Sequence, residues 1–518
     1  MVGRWLHDGM PVLNQADQQK KTAYGTLDEE FFIEDNELLI LDPDFWTEGY
    51  VLRDDATEQL HGSNSVPMFL VHVAVSVLGA GKSIGLLRAL GIPMTLSDEL
   101  ASGWAHQWPS FATLAEDTSR DGRPHTFSVE DLSRVVYDGL QPYCQAAQSQ
   151  LTKVIVEDCD LWEHLTVIED VYLMRRGDVM SRLADAIFAK MDSGQTWSDF
   201  HFLNSAFRDI TAGTHISADA SLIRLSYRGG RDKAASRSVR AFEGLSVEYA
   251  APFPLTYVFG PRTTQIYSSI FVFLLQVRRA KSVLERILVR GAAKGAHTGN
   301  DLKILYAMRS RLSWFVNVLL DFIATYVIHE ELTKFHDALK GAKSLDEVIQ
   351  LHQDHLDKLE KRCFLHPNSA SIRRAIHSVL DIALHFNDCF VAFAGDTTLD
   401  ISRQSLMSMK KHRSRRLQRQ RKDAIGFSQS LQEAAVLSSD SSSDSEDDDE
   451  NTINERSYSL AASMSAPEDG VGRIDKMSAE LDGLVRLVRR SVESLAGGTG
   501  DAAPTFGIFA FALEDWDK

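Results

Sequence analysis

The residues Gly79-Ala-Gly-Lys-Ser83 have the types and spacing that could bind a phosphate group. A glycine-rich turn ending in lysine and serine can surround phosphates with its backbone N–H groups, provided that it joins a strand to a helix. The complete pattern also needs a glycine at position 76, which is Ser76 here, and residues 68–78 are equally typical of a helix. We therefore expect a helix, and a P-loop-like nucleotidase that uses Lys82 and Ser83 is the disfavoured alternative.

His352, His355, Cys363 and His366 form a second set, which could act as metal ligands. A structural zinc ion needs four nitrogen or sulfur ligands that converge tetrahedrally. His352 and His355 are spaced to share one helical face, but no knuckle-like turn separates them from Cys363 and His366. We expect histidines on a helix surface and a buried thiol here, without a metal site.

No combination of Cys, His and Asp residues is typical of a nucleophile with its base. We therefore predict a protein that is not an enzyme, with no catalytic, cofactor-binding or metal-binding residues.

Composition and charge limit the classes of protein to which the chain can belong. Its 518 residues, 44% of them hydrophobic, are enough for a large core in two or three domains. The formal net charge of −17 argues against a general nucleic-acid binder, which needs a surplus of lysine and arginine. The four cysteines are far apart and form no disulfide framework, so we expect a reducing compartment such as cytosol or nucleus.

Hydropathy favours a chain that does not span a membrane. Residues 1–21 are polar and contain no apolar signal segment. The most apolar stretch, residues 312–328, is slightly short and holds Asn317 and Asp321 near its middle, which favours a buried bundle helix over a bilayer span.

Hydrophobic periodicity predicts a long packing helix at residues 265–290. Apolar residues from Ile270 to Leu288 recur every three or four positions and form one helical face, whereas Arg279 and Arg286 fall on the other side. Pro252 and Pro254 keep the residues just before this helix extended. This combination, which lacks catalytic groups, is typical of a scaffold that binds another protein.

The fold class that follows is mainly α, with consecutive antiparallel helical bundles, a few short strands and one long disordered insertion. Strand signals are confined to residues 24–35, 44–53 and 221–259. Periodic segments predict helices at residues 67–90, within 128–191, and at 198–212, 263–290, 301–339, 344–364, 371–393 and 477–495.

Residues 396–475 differ in composition from the rest of the chain. They contain a basic run at 410–422 and a serine-rich acidic run at 438–450, and neither can bury enough apolar surface to offset its ordering entropy. We predict a disordered insertion between two bundle helices. The basic run is equally typical of a nuclear-localisation signal and of a solvated linker. Acidic neighbours make Ser441, Ser442 and Ser443 predicted phosphorylation sites.

Seven segments, in order along the chain, resemble the gamma-tubulin complex component family, also called the spindle pole body component family. Glu30-Phe-Phe-Ile33 resembles its EFFI segment, and Val66-Pro-Met-Phe-Leu70 followed by Gly81-Lys-Ser83 resembles its VPxFL and GKS segments, which also accounts for the phosphate-loop pattern. The other matching segments are residues 160–165 with 176–178, 203–210, 252–255 with 270–279, 309–317 and 344–365.

The resemblance runs from residue 24 to the last helix, except for 396–475, and implies the carboxy-terminal half of such a component. In this family that half is a helical-bundle domain whose end surface binds gamma-tubulin, whereas the amino-terminal half makes lateral contacts between components. The chain is then either a short gene product or a truncated one.

The organisation that the resemblance implies has five parts. They are a disordered stretch at 1–23, the end of the family's amino-terminal region at 24–65, the gamma-tubulin-binding bundle at 66–395, the insertion at 396–475 and a final bundle helix at 476–518.

The function that the resemblance implies is that of a structural subunit of the gamma-tubulin ring complex, which templates microtubule nucleation during spindle assembly. The implied partners are gamma-tubulin and other gamma-tubulin complex components, with no nucleic acid and no membrane span. The implied location is the cytoplasm and cytoskeleton, at a microtubule-organising centre such as a spindle pole body or centrosome.

Arginines on otherwise apolar helices are the candidate contacts of gamma-tubulin, because arginine is favoured at protein interfaces. We select Arg278, Arg279, Arg309 and Arg311. The alternative is that these arginines form ion pairs within the bundle and extend their stems along apolar surface.

The sequence departs from the family's pattern at three places, which indicates a divergent member. Val272 replaces an arginine, Leu320-Asp-Phe322 replaces a segment with an aromatic pair, and residues 506–518 match the family's closing segment faintly. A rival hypothesis is a helical-bundle tethering scaffold that binds membranes or small GTPases.

Overall fold

The computed structural model describes residues 2–10, 32–53, 66–94, 129–217, 219–287, 299–394 and 470–517. Within these ranges helices dominate, and strands are confined to two antiparallel two-stranded sheets. One hydrophobic core includes side chains from the first helix to the last. The predicted mainly α fold class is therefore confirmed. The predicted disorder of residues 396–469 lies outside the described residues.

Apart from the one-turn helix Arg231–Ala234, thirteen α-helices follow one another along the described residues. They are α1 (Val2–Asp8), α2 (Ala74–Ala89), α3 (Val129–Glu157), α4 (Leu161–Tyr172), α5 (Gly177–Asp192), α6 (Phe200–Thr211), α7 (Pro261–Glu285), α8 (Gly299–Asp321), α9 (Glu330–Leu339), α10 (Leu345–Arg362), α11 (Ala370–Ala394), α12 (Gly470–Ala496) and α13 (Ala503–Glu514). The strands are β1 (Ile33–Asp35), β2 (Tyr50–Leu52), β3 (Ile223–Tyr227) and β4 (Leu245–Tyr249). A π-helical segment, Phe322–His329, joins α8 to α9.

Helix α7 is the central element of the bundle, as its apolar sequence predicts. It begins at Pro261, whose missing N–H costs nothing in the first turn of a helix. The helix packs against α4, α5, α8, α10 and α11 and against strand β4. The sequence predicted one apolar face with Arg279 on the opposite side, but Arg279 is only 7% exposed. Burial on several sides means that the polar groups of α7 need partners within the chain.

The Gly79–Ser83 pattern lies inside helix α2 and not in a loop, so the phosphate-loop hypothesis is wrong. The amine of Lys82 is buried and donates a hydrogen bond to the carbonyl oxygen of Trp46 at 2.6 Å. The glycines serve close packing. A Cβ atom on Gly81 would lie 1.9 Å from the indole nitrogen of Trp5 in helix α1, and one on Gly85 would lie 2.2 Å from the Met10 side chain.

The same residues, Gly81-Lys-Ser83-Ile-Gly85, also match the Gly-x-Ser-x-Gly pattern of hydrolases. That pattern supports catalysis only where a strand turns sharply into a helix and exposes the serine. Here Ser83 is 1% exposed in the middle of α2, and its hydroxyl donates to the Gly79 carbonyl oxygen at 2.7 Å. The serine hydroxyl is therefore satisfied within its own helix and is not placed as a nucleophile.

Residues 2–8 differ from the predicted disorder of residues 1–23, because they form helix α1 and pack on α2. Trp5 and Leu6 are buried, and the indole nitrogen of Trp5 donates to the Val77 carbonyl oxygen at 2.8 Å. Seven polar and apolar residues were too short a stretch to show a helical period. The tertiary contact with the glycines of α2 stabilises this helix.

Both sheets lie where the sequence contained strand signals. Strand β1 pairs with β2, and Trp46, in the short π-helical turn Phe45–Gly49 before β2, is buried and donates to the carboxylate of Asp346 at 2.9 Å. This bond attaches the segment before residue 66 to helix α10 of the bundle. Strand β3 pairs with β4, with Ile223 opposite Tyr249.

The long helical run from α8 to α9 contains the apolar stretch that the sequence assigned to the bundle. By length and composition the helical stretch Lys303–Leu339 could cross a membrane. Many of its apolar side chains nevertheless lie in the core, although Tyr326 is exposed. They include Leu312, Phe315, Leu319, Phe322, Ile323 and Val327.

The carboxy-terminal end of the described chain differs from the single final helix predicted at 476–518. Helix α12 begins earlier, at Gly470, and buries Ile474, so the predicted boundary of the insertion at 475 is wrong by nearly two turns. Gly497, Gly498 and Gly500 follow the end of this helix, and Pro504 lies in the first turn of the separate helix α13. The family's aromatic pair is absent here, but Phe322 stacks on Phe509 of α13 at 4.4 Å between ring centroids.

The four residues considered as metal ligands are used in packing and capping. His352 contacts the Tyr267 hydroxyl at 3.0 Å, and His355 stacks on Phe335 with ring centroids 4.5 Å apart. The expectation of surface histidines is wrong for both, because both are buried, whereas the Cys363 thiol is buried as expected. Among the described residues, no three His, Cys, Asp or Glu side chains converge on a possible metal position.

Acid should destabilise the fold through its buried histidines. Burial lowers the pKa of His352 and of His377 to about 4. In the unfolded chain these residues bind protons below about pH 6.5, whereas in the folded chain they do so only near pH 4. The free energy of unfolding therefore falls as the pH is lowered from 6.5 to 4. We expect each histidine to lower the free energy of unfolding by about 2 kcal/mol between pH 7 and pH 5.

Urea denaturation at both pH values measures this effect. The His352→Gln variant should lose less stability between pH 7 and pH 5 than the parent chain does. The same replacement at the exposed His329 is the control, and equal pH dependence of all three proteins would contradict the prediction.

Adding a methyl group at Gly81 should separate α1 from α2. We expect Gly81→Ala to lower the free energy of unfolding by about 1–3 kcal/mol, because the indole of Trp5 must move. Gly139→Ala in α3 is the matched control, because a Cβ atom at this position would have no other atom within 4 Å. The substitution also removes a glycine from the interior of a helix. That change should raise stability by about 0.5–1 kcal/mol. Equal effects in thermal unfolding would contradict this account.

Candidate partner-binding surface

Two of the four candidate arginines, Arg279 and Arg309, reach the end of the bundle where α5 and α7 terminate, whereas Arg278 extends along α5 to Ser181, about three turns before the end of that helix. Arg278 and Arg279 lie in the last two turns of α7, and Arg286 follows its last residue. Arg309 of α8 reaches the same place. We call Arg278, Arg279, Arg286 and Arg309, together with Asp192 of α5, the basic bundle end.

Asp192 connects the two helices within the basic bundle end. Its carboxylate accepts hydrogen bonds from Arg279 at 2.5 and 3.3 Å and also forms an ion pair with Arg286. Burial alone would raise the pKa of Asp192, but the bonds and charges of both guanidinium groups outweigh burial and lower this pKa. Arg279 therefore acts as a buried tie between α5 and α7, and Arg286 remains the more accessible of the two.

Arg278 and Arg309 are half-buried, and neither forms a salt bridge within the described residues. Arg278 donates to the Ser181 hydroxyl at 2.8 Å, and burial lowers its pKa. Arg309 donates a hydrogen bond of 3.0 Å to the carbonyl oxygen of Leu284. This carbonyl is one of the last four of α7, which have no partner within the helix. Each guanidinium group therefore keeps donors that a partner's carboxylate could use.

Arg311 points to a different side of α8 from Arg309, because two residues correspond to about 200° of rotation in an α-helix. It forms an ion pair with Asp482 of α12 and lies over the Trp516 ring at 4.4 Å from its centroid. It also donates to the Ser478 hydroxyl at 3.2 Å. Arg311 thus connects α8 to α12 and is not part of the basic bundle end.

Sequence reasoning missed Asp192 and selected Arg286 only as a polar position. One local signal could have identified the aspartate. Asp192 is the last residue of α5, and a negative charge at a helix C-terminus is opposed by the helix dipole. An acid in that position indicates a tertiary partner that offsets the local cost.

The predicted phosphorylation sites Ser441, Ser442 and Ser443 lie outside the described residues. The contribution of the four candidate arginines to partner binding stays a prediction.

The sequence was compared with models of known protein families, and one family matches. The sequence model described as "Gamma tubulin complex component C-terminal" matches residues 161–459. The match begins at the first residue of α4 and includes α7, α8 and the basic bundle end.

Curated relatives show the same similarity at low identity. Gamma-tubulin complex component 5 of Macaca fascicularis is 27% identical over 269 residues, which cover 47% of this chain and 37% of that protein. Gamma-tubulin complex component 4 of Homo sapiens is 21% identical over 315 residues, covering 57% and 46%. Gamma-tubulin complex component 3 of Arabidopsis thaliana is 23% identical over 361 residues, covering 66% and 40%. The matched region is less than half the length of each relative.

Removing the charge of Asp192 should destabilise the bundle end. We expect Asp192→Asn to lower the free energy of unfolding by about 3 kcal/mol, because the buried Arg279 loses its counter-charge. The exposed Asp185 of the same helix is the matched control, and Asp185→Asn should change stability by less than about 0.5 kcal/mol. Chemical denaturation measures both, and similar small effects would contradict the role of Asp192.

Proposed function

The chain belongs to the gamma-tubulin complex component family, and we propose that it is a gamma-tubulin-binding structural subunit of the gamma-tubulin ring complex. The family model covers 299 of 518 residues, from 161 to 459, and this match carries the proposal. Gamma-tubulin complex components 3, 4, 5 and 6 all appear among the relatives, which supports assembly with other components.

The proposed activity is templating of microtubule nucleation. Each subunit holds one gamma-tubulin, and lateral assembly arranges these molecules in a ring before αβ-tubulin binds. Pre-arranged subunits lower the entropic cost of the first tubulin contacts, because the template pays no further ordering cost. This activity requires a rigid support and no bond-making chemistry in the chain itself. Any nucleotide hydrolysis would belong to tubulin.

We propose that gamma-tubulin contacts the basic bundle end. The accessible groups there are Arg278, Arg286 and Arg309, whereas Asp192 is mostly covered, so the surface carries an excess of positive charge. Arg279 and Arg311 would act from inside by holding α7 and α8 in place. A surface supported by buried ion pairs keeps its arginines in fixed positions, which reduces the entropy lost on binding.

We also propose the location and the modification that follow from this role. The protein would act at microtubule-organising centres within the cytoplasmic cytoskeleton. Phosphorylation at Ser441, Ser442 or Ser443 would add negative charge to the acidic run at 438–450.

Co-purification with gamma-tubulin tests the proposal. The tagged full chain should retain gamma-tubulin, and the double variant Arg278→Glu and Arg309→Glu should retain at least about tenfold less, because both contacts become repulsive. Circular dichroism should show the same helix content for the variant and the parent.

The matched control is the double variant Arg262→Glu and Arg237→Glu. Both residues are largely exposed, and Arg262 lies in the first turn of α7, at the opposite end of that helix. Gamma-tubulin retained by the Arg278 and Arg309 variant would exclude the basic bundle end. Absence of gamma-tubulin from the parent chain would overturn the proposed function itself.

A further inference from the structure

Two neighbouring helical stripes, at the beginning of α2 and of α3, expose large apolar side chains. In and just before the first turn of α2, Met68 is 72% exposed, Val71 47% and Val75 69%. In the first turns of α3, Val129 is 48% exposed and Tyr137 37%. The two stripes are neighbours because α2 and the turn Met68–Leu70 both pack on α3. We call these five side chains the α2–α3 face.

A groove of about 620 Å³ lies between the two stripes. Met68 and His72 line one side of it, and Val129 and Tyr137 of α3 line the other, together with Ser133 midway between them. The groove is also lined by one acidic and one basic residue of α3, which are Glu130 and Arg134. Because these two charges balance, an occupant of the groove is recognised mainly through apolar contact.

The α2–α3 face is large enough to need a cover. Met68, Val71 and Val75 recur every three or four residues, so the exposure belongs to a whole helical face and not to scattered side chains. Single exposed apolar residues are ordinary, but the largest contiguous patch on a monomer measures about 300–600 Å² and is often a docking site. One buried aromatic side chain covers about 150–250 Å², so two of them match such a patch.

The chain itself contains two suitable aromatic side chains between α2 and α3. The described residues stop at Met94 and resume at Val129, which lines the groove. Between these positions, Leu100, Trp104 and Trp108 recur every four residues, which is the spacing of one helical face. A groove between helices commonly binds a segment whose apolar anchors have this spacing.

Both ends of this segment lie within reach of the groove. The Met94 sulfur is 3.8 Å from the Tyr143 hydroxyl, and Tyr143 follows Tyr137 on α3 by six residues, or about 9 Å. Six residues also separate Met94 from Leu100, and they can span about 20 Å when extended. A segment attached on both sides of the groove has an effective concentration on the order of millimolar, which favours it over a second copy or another protein.

We propose that residues 98–114 of the chain dock on the α2–α3 face, with Trp104 and Trp108 as the anchors in the groove. The docked segment removes the exposed apolar side chains of both helices from water without a second protein. The α2–α3 face then becomes available to another protein only when this segment is displaced. The inference does not depend on gamma-tubulin binding.

Fluorescence anisotropy with the full chain tests this assignment. The probe is a fluorescein-labelled peptide with the sequence of residues 98–114, and its counterpart carries serine in place of both tryptophans. The chain is used as the parent and as the double variant Trp104→Ser and Trp108→Ser. We expect the probe to bind the double variant at least about tenfold more tightly, because the attached segment of the parent competes with it. The serine peptide should bind neither chain.

A charge placed on the α2–α3 face should abolish this gain. Met68→Lys, added to the double variant, should weaken probe binding by at least about tenfold, because the occupant would have to cover an ammonium group. Phe511→Lys in α13 is the matched control, since Phe511 is also 72% exposed and lies outside the face. This control should leave the affinity within twofold. Both sites are exposed, so neither substitution should disturb the fold.

Three outcomes would overturn the assignment. They are equal affinity of the probe for the parent and the double variant, no binding to either, and equal effects of the two lysine substitutions. Sedimentation velocity tests a second copy as the occupant, because Met68→Lys in the parent should leave its oligomeric state unchanged. A dimer that this substitution dissociates would assign the α2–α3 face to a second copy and contradict the proposal.

Discussion

Burial of α7 is the constraint on which the rest of the structure depends. A helix surrounded by five other helices and a strand can leave few polar groups without partners, because unpaired buried groups cost about 1–3 kcal/mol each. Tyr267 therefore bonds to His352, Gln276 to the Val239 carbonyl oxygen and Ser268 to the Val247 amide. These bonds fix the positions of α10, the Val239–Gly244 turn and β4 around one axis. The surfaces discussed above are arranged on this fixed frame.

The same constraint explains why the arginines of α7 and α8 divide into two roles. Arg279 is covered and pairs with Asp192, whereas Arg278 and Arg309 are half-buried and use neutral partners. Asp192 neutralises the charge of Arg279, whereas the charges of Arg278 and Arg309 are not paired and can attract an acidic surface. Buried ion pairs add little net stability, but they fix geometry, and breaking one is costly. The pairing of Arg279 with Asp192 thus fixes the ends of α5 and α7 relative to each other.

Helix α2 shows how one local pattern can fit several chemistries until its surroundings are known. Gly79, Gly81 and Ser83 satisfy parts of a phosphate loop and of a nucleophile turn, yet both need a strand before the turn. The missing glycine at position 76 and the continuing apolar period correctly favoured a helix. The purpose of the glycines could not be predicted, because the contacts with Trp5 and Met10 involve residues about 75 positions away. The sequence around α2 does not show which distant residues will pack against it.

The sequence by itself determined most of the helix positions and the family, because periodicity and ordered motifs are local properties of the chain. Helices α7, α10 and α11 begin and end within a few residues of their predicted bounds. Only the tertiary structure decided that α1 is ordered, that Asp192 joins two helices, and that Met68 and Val129 line one groove between α2 and α3. Each of these depends on which distant residue approaches, and that is set by how whole helices pack and not by neighbours in sequence.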